Sequence, residues 1–108
     1  MRQATIRLYA VKGDTWDGAS FTITKNGSAL DLSGATIEMN LRDMNGNLID
    51  TLSTTDGDIS ITDTNEFSIL PFIVSYTQDK LKFDIRFIFA DSSIKTYIKG
   101  LFCLMEDI

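Results

Sequence analysis

The feature that most constrains this chain is an alternation of apolar and polar residues with a period of two, which is clearest between positions 81 and 89. Apolar residues there occupy every second position: Leu81, Phe83, Ile85, Phe87 and Phe89. The positions between them hold Lys82, Asp84, Arg86 and Ile88. In a helix, at about 100° per residue, the apolar set would split into two opposed stripes, whereas in a strand it forms one face. The alternation therefore predicts a half-buried β-strand.

The same pattern recurs along the chain and predicts about eight short strands. Ile37, Met39 and Leu41 alternate with polar residues, and so do Phe21 and Ile23. Further strands are expected at 5–11, 48–52, 59–62, 66–70 and 94–104. Amphipathic strands have only each other to bury against, so residues 1–108 are predicted to form a single all-β domain, an antiparallel sandwich of two sheets.

Turn residues divide these strands. The pairs Asn26-Gly27 and Asn45-Gly46 are each expected to form a type I′ hairpin turn, because such a turn needs positive φ at both residues. Gly100 interrupts the last predicted strand and indicates a bulge or a close backbone approach. The segment from Pro71 to Lys80 is the one stretch where the sequence allows a helix, of at most one or two turns.

The charged residues narrow the range of partners. The chain has 10 lysine and arginine residues against 15 aspartate and glutamate residues, a formal net charge of −5. The cations are scattered along the sequence from Arg2 to Lys99, so binding to nucleic acid or to an anionic membrane is not expected. No apolar run is long enough to cross a bilayer, and residues 1–5 lead into no signal-peptide core, so synthesis in a cytosol is expected.

Catalytic chemistry is not expected. The chain has no histidine, which removes the commonest general base and zinc ligand, and its single cysteine, Cys103, is interpreted as a small core hydrophobe. The loop Asp43–Asn47 lacks the glycine position and the terminal glutamate of a calcium-binding EF-hand loop, and Asp56–Asp58 is interpreted as a solvated turn. The chain is therefore predicted to be non-enzymatic, without catalytic residues, cofactor or metal.

Trp16 is the best single candidate for a functional contact. It is the only tryptophan and lies in the loop Gly13–Gly18, between Asp14 and Asp17. An exposed loop aromatic can anchor a partner protein, so Trp16, Asp14 and Asp17 form the predicted partner-binding set. An equally open interpretation is that Trp16 closes one end of the sandwich. A carbohydrate-binding module is the alternative function, with a stacking platform made by Trp16 and one or more of three tyrosines: Tyr9, Tyr76 and Tyr97.

Four short motifs follow one another along the chain. They are Val11–Thr15 (VKGDT), Leu30–Met39 (LDLSGATIEM), Phe83–Ile85 (FDI) and Thr96–Gly100 (TYIKG). Together they resemble the immunoglobulin-like domain of tailed-bacteriophage virion proteins, in particular the N-terminal domain of baseplate upper proteins. The resemblance spans nearly the whole chain. Its motifs build turns and strands, so they carry no catalytic role across.

The resemblance implies an immunoglobulin-like sandwich that serves as a non-enzymatic structural protein of a bacteriophage virion. It implies docking on other tail or baseplate proteins, in many copies of a homo- or hetero-oligomeric assembly. It also implies localisation in the virion after synthesis in the bacterial host cytoplasm. The alternative placement is that of an auxiliary decoration protein on the major capsid shell. Baseplate upper proteins continue into a long second region, so the resemblance carries over their first domain alone.

Overall fold

A computed structural model describes residues 4–106, and the regular structure in this part consists of β-strands. The twelve strands are β1 Ala4–Val11, β2 Thr15–Trp16, β3 Ala19–Thr22, β4 Thr24–Lys25, β5 Ser28–Ala29, β6 Thr36–Arg42, β7 Leu48–Ser53, β8 Ile59–Asp63, β9 Glu66–Ile69, β10 Phe72–Ile73, β11 Lys80–Ile88 and β12 Ile94–Met105. The described residues include no helix that could cross a membrane. The prediction of an all-β fold is confirmed.

The larger sheet has five strands in the order β1-β12-β11-β6-β7. β11 pairs antiparallel with both β6 and β12, and β6 pairs antiparallel with β7. β1 instead runs parallel to β12, from Ala4 opposite Ile98 to Val11 opposite Met105. The prediction of a purely antiparallel sandwich is therefore wrong at this edge. A tight turn forces neighbouring strands to be antiparallel, but β1 and β12 lie at opposite ends of the chain and no turn fixes their relative direction.

A three-stranded antiparallel sheet, in the order β3-β9-β8, packs against the larger one. Phe67 of β9 and Phe87 of β11 meet between the sheets, with ring centroids 5.6 Å apart. Fully buried side chains come from both sheets and from connecting segments: Leu32, Ile37, Met39, Leu41, Phe67, Ile69, Val74, Leu81, Ile85, Phe87 and Phe102. Two pairs of two-residue strands, β2 with β10 and β4 with β5, lie outside these sheets. The fold is sandwich-like, with one core between two sheets.

Burial alternates along β11 as the sequence pattern predicts, whereas in β6 the outward Asn40 is buried as well. The inward residues of β11 are Leu81, Phe83, Ile85 and Phe87, all buried. In β12 the alternation breaks at Tyr97 and Ile98, which are both buried because the register with β11 shifts there. The bulge therefore lies at Tyr97. Gly100 shows the other predicted feature, a close backbone approach, since a Cβ on Gly100 would collide with the carbonyl oxygen of Ile6.

The two predicted hairpins form with different turns. Asn26-Gly27 joins β4 to β5 with φ values of 54° and 81°, so this type I′ turn is confirmed. Between β6 and β7, Gly46 has a φ of 90° and its N–H donates to the carbonyl of Asp43 at 3.0 Å. The Asp43 carboxylate accepts hydrogen bonds from the backbone N–H groups of Asn45 and Asn47, each at 2.9 Å. This Asx turn keeps Asn45 out of the positive-φ region, so the type I′ prediction is wrong here.

Two further predictions need correction, and the structure decides the form of the segment from Pro71 to Lys80. The expected number of about eight strands is too low, because four of the twelve strands have only two residues and leave no alternation to detect. Within Pro71–Lys80, where the sequence allows at most one or two turns of helix, β10 pairs Phe72 with Trp16. Cys103 is half-buried rather than a core residue. Its neighbours Phe102 and Leu104 point inward, so the alternation puts Cys103 on the opposite face of the sheet.

Candidate interaction surface

Trp16 lies in β2, after the turn in which Gly13 takes a φ of 86°. The centroid of its indole ring lies 4.9 Å from that of Phe102 and 5.4 Å from that of Phe72. Trp16 is half-buried against the core, so part of the ring packs inward and part of it is accessible to solvent. The role of Trp16 as a partner anchor stays a prediction.

Asp14 and Asp17 are exposed on either side of Trp16 in the sequence. The backbone of this loop is fixed, because the N–H of Val74 donates to the carbonyl of Asp14 at 3.0 Å. Gly18 lies against the backbone of Ile69 so closely that a Cβ would collide with its carbonyl oxygen. The loop therefore presents two exposed carboxylates, and their part in partner binding stays a prediction.

The three tyrosines considered for a carbohydrate platform lie in different environments. Tyr9 is 56% exposed and points outward from β1, whereas Tyr97 is buried, with its ring 5.5 Å from that of Phe87. Tyr76 is half-buried and donates a hydrogen bond to the Asp50 carboxylate at 2.7 Å. Burial and this hydrogen bond raise the pKa of Tyr76. Tyr76 lies near Trp16, because both rings contact that of Phe72, at centroid distances of 6.1 Å and 5.4 Å. The buried Tyr97 and the outward Tyr9 do not join this cluster.

Lys12 connects the end of β1 to two distant segments. Its Nζ donates to the carboxylates of Asp79 at 2.8 Å and Glu106 at 2.9 Å, and to the carbonyl of Thr77 at 3.1 Å. The hydrogen bond from Lys12 lowers the pKa of Asp79, and the same bond is the main reason that the pKa of Lys12 is raised. This cluster fastens the chain ahead of β11 and behind β12 to the end of β1, which is a structural role.

Several carboxylates stabilise turns. The pKa of the Asp43 carboxyl is lowered mainly by the hydrogen bond from the Asn47 side chain and further by the one from the Asn47 backbone. Hydrogen bonds from Ser33 lower the pKa of Asp31 in the same way. In the turn after β7, the backbone N–H of Asp56 donates to the hydroxyl of Ser53 at 3.0 Å.

Within residues 4–106, no three histidine, cysteine, aspartate or glutamate side chains are grouped so that they could hold a metal ion.

The outward side of the five-stranded sheet gathers most of the basic residues, and we call it the cationic face. Six of the ten lysine and arginine residues lie there: Arg7, Arg42, Lys80, Lys82, Arg86 and Lys99. Two carboxylates, Glu38 and Asp84, share this face. The cations are scattered along the sequence, but the expectation that they are also scattered over the folded protein is wrong. Strand pairing brings together outward positions that lie far apart in sequence.

Strand register places three of these cations in one row. Arg7 lies opposite Leu101, Leu101 opposite Lys82, and Lys82 opposite Arg42. The row continues to Leu48 on the edge strand β7, whose side chain is 56% exposed. A shallow groove of about 400 Å³ runs beside it, lined by charged and apolar groups: Thr5, Arg42, Lys82, Phe83, Asp84, Lys99, Gly100 and Leu101. The face thus combines positive charge with accessible apolar surface.

Most of these cations lack a carboxylate partner. Within residues 4–106 the ion pairs join Lys12 to two carboxylates and Arg86 to Glu38, the latter at 3.5 Å. The other five cations of the face have no carboxylate oxygen within 4.0 Å in the described part of the chain. Cross-strand neighbours of like charge destabilise a sheet. The alternation that identified the inward residues also marks Lys82 and Arg86 as outward, but only the register shows which outward residues meet.

The chain's own residues are the basis for a functional assignment. No protein-family model and no curated protein sequence matches this chain.

Proposed function

We propose that this protein is a non-enzymatic structural protein of a bacteriophage virion, an immunoglobulin-like adaptor that docks on other tail or baseplate proteins. Two of the motifs behind the resemblance build local structure that suits such a fold. In the first, the N–H of Asp14 donates to the carbonyl of Val11 at 3.1 Å and closes the turn after β1. In the second, the N–H of Ala35 donates to the carbonyl of Leu32 at 3.0 Å and turns the chain into β6.

The observation that carries the docking proposal is the edge formed by β1. This strand has eight residues, pairs with β12 in an unbroken register and has no second neighbour in the described part of the chain. A long edge strand offers unpaired N–H and C=O groups to a strand of another protein. β1 contains neither proline nor a bulge, which are two of the devices that blunt such an edge. A neighbouring virion protein can extend the sheet there.

The edge proposal is tested with single proline substitutions along β1. Alternate residues direct their backbone N–H groups towards β12 and towards solvent, so prolines at Thr5 and Arg7 and prolines at Ile6 and Leu8 form two sets. We expect one set to lower the melting temperature. The other set should leave it nearly unchanged and prevent incorporation into particles. Incorporation of all four variants at the wild-type level would contradict the edge as the docking site.

The virion assignment is tested by mass spectrometry of purified, chemically cross-linked particles of the phage that encodes this chain. Cross-links to tail or baseplate proteins would support the adaptor proposal. Cross-links to the major capsid protein would favour the alternative, a capsid decoration protein. Absence of the chain from particles would reject both placements.

A carbohydrate-binding module is the second alternative, and the partly accessible ring of Trp16 is the observation in its favour. A glycan array with the wild-type protein and Trp16→Ala tests it. Binding that the substitution abolishes would support this function, and an array without signal would reject it. Because Trp16 also packs against Phe102 and Phe72, the melting temperature of the variant must be measured alongside.

A further inference from the structure

The outward side of the three-stranded sheet differs from the cationic face, and we call it the hydroxyl face. Its outward residues are Ser20, Thr22, Ser60, Thr62, Glu66 and Ser68. None of the three strands contains lysine or arginine. In fact, residues 43–79 include no lysine or arginine but seven aspartate and glutamate residues. The turn before β8 adds Asp56 and Asp58, and β8 ends at Asp63.

The two faces lie on opposite sides of the molecule. The inward residues of both sheets meet in one core, as the contact between Phe67 and Phe87 shows, so their outward residues point away from each other. Positive charge therefore lies on one side of the sandwich, and acidic and hydroxyl groups lie on the other. The chain carries its own complement to the cationic face.

We propose that copies of this protein stack head to tail, with the cationic face of one copy against the hydroxyl face and acidic turns of the next. Contact between two cationic faces would bring like charges together, so the interface joins two different surfaces. Such a heterologous contact leaves both outer surfaces of a pair available, and it builds a ring or an open filament. The proposal rests on the placement of charge in this chain and holds whether or not the chain is a virion protein.

A second copy fits the cationic face better than nucleic acid does. Glu38 and Asp84 lie among the cations and would repel phosphates, as would the net charge of −5. Serine and threonine hydroxyls accept hydrogen bonds from arginine and lysine, and Glu66 and the turn aspartates offer carboxylates. Aromatic residues, arginine and methionine are enriched in protein interfaces, and the cationic face has exposed Tyr9 and Met105 beside its cations.

The first measurement is sedimentation velocity of the purified protein over a range of concentrations. At low ionic strength we expect the average mass to rise above the 12.1 kDa monomer as concentration increases. In about 0.5 M salt it should return towards the monomer, because the Debye length falls to roughly 4 Å. A monomer at every concentration in low salt would overturn the proposal.

Charge reversal identifies the surface. The double variant Arg42→Glu/Lys82→Glu reverses two neighbouring charges of the cationic face, and Lys25→Glu/Lys95→Glu is its matched control. Each variant has a net charge of −9, and the control residues lie outside both faces. We expect the first variant to remain a monomer and the control to associate. Equal loss of association in both would overturn the proposal, because overall charge would then explain the effect.

A mixture of variants tests the head-to-tail arrangement. Asp63→Lys/Glu66→Lys reverses charge beside the hydroxyl face, and this variant should also be a monomer alone. Mixed in equal amounts with Arg42→Glu/Lys82→Glu, it should restore association, because each contact again joins opposite charges. Failure of the mixture to associate while both variants keep the wild-type melting temperature would overturn the proposal. So would tight binding of a 20-nucleotide DNA that Arg42→Glu/Lys82→Glu abolishes, since the face would then serve phosphates.

Discussion

The two outer faces of the sandwich arise from the same alternation of residues but differ in how their polar groups are satisfied. On the hydroxyl face, the hydroxyls of Ser20 and Ser68 form a hydrogen bond of 2.7 Å, and that of Thr62 donates to Glu66 at 2.9 Å. On the cationic face, Lys82 and Arg42 lie directly opposite each other without a carboxylate within 4.0 Å in the described chain. The hydroxyl face is internally paired, whereas the cationic face, beside the ion pair of Arg86 and Glu38, holds the like charges of Lys82 and Arg42 side by side.

This difference indicates that the cationic face is not arranged for the stability of a single molecule. Opposite charges across strands stabilise a sheet, whereas like charges directly opposite destabilise it. A surface that has only solvent around it gains nothing from a row of cations, but a surface that meets acidic groups of another molecule gains binding energy and specificity. The comparison depends on both sheets keeping their positions around the shared core.

The largest expected effect comes from Phe87→Ala, because Phe87 joins the two sheets. Its ring contacts those of Phe67 and Tyr97, at 5.6 Å and 5.5 Å, and it is fully buried. Removing a buried phenylalanine leaves a cavity and should lower the free energy of unfolding by about 3–5 kcal/mol in urea denaturation. Leu48→Ala, an exposed residue of the cationic face, is the control and should change it by about 0.5 kcal/mol or less. Equal losses would refute the placement of the core.

Gly100→Ala should have the next largest effect and should act through β1, which carries Arg7 of the cationic face. The new Cβ would collide with the backbone of Ile6, so β1 must move away from β12 and take Arg7 with it. We expect a loss of about 2–3 kcal/mol in the free energy of unfolding. In Gly46→Ala, the control, the new Cβ meets no atom within 4 Å. The free energy of unfolding should fall by only about 1 kcal/mol, because alanine is less favourable than glycine at positive φ. A smaller loss at Gly100 than at Gly46 would contradict the close approach of β1.

Local patterns predicted the inward residues well. The alternation in β11 and β6 predicted their buried faces, because each choice depends only on neighbouring positions. The burial of Cys103 was predicted wrongly, since an apolar run in β12 hides which residues alternate inward. The turn at Asn45 was missed because the Asp43 carboxylate, outside the Asn-Gly pair, decides its geometry.

Long-range pairing could not be predicted from local patterns. Nothing near β1 in the sequence indicates that it runs parallel to β12, and the cationic face depends on that pairing for Arg7. Lys82 and Arg42 meet because β11 pairs with β6, which are separated by 37 residues of chain that contain no cation. The candidate surface is therefore a property of register, whereas Trp16, Asp14 and Asp17 could be chosen from a single loop.

Tyr76→Phe tests the edge of the five-stranded sheet that lies opposite β1. At this edge, Asp50 of β7 accepts a hydrogen bond of 2.7 Å from Tyr76, which lies in the segment after β10. Losing this bond to a charged acceptor should cost about 1–2 kcal/mol in the free energy of unfolding near pH 7. The folded protein raises the pKa of Tyr76 above its ordinary value of 10.0, so its contribution is present below pH 10.0 and is lost as pH rises above it. Urea denaturation from pH 7 to 11 should show the wild type and variant converging, and a constant difference would contradict this.

Lys82→Glu should have the smallest effect, and its sign is the informative part. The substitution replaces the like-charge neighbours Lys82 and Arg42 with an opposite pair, so the dilute monomer should gain about 0.2–1 kcal/mol in the free energy of unfolding at low salt. Added salt should remove the gain. Lys25→Glu makes the same change of charge on the β4–β5 hairpin and should give no gain in stability.

If Lys82→Glu folds more stably and associates less, the cations of this face lower the stability of the monomer but are needed for association. A loss of stability with Lys82→Glu would show instead that Lys82 has a favourable partner within the monomer, and the contrast between the two faces would fail.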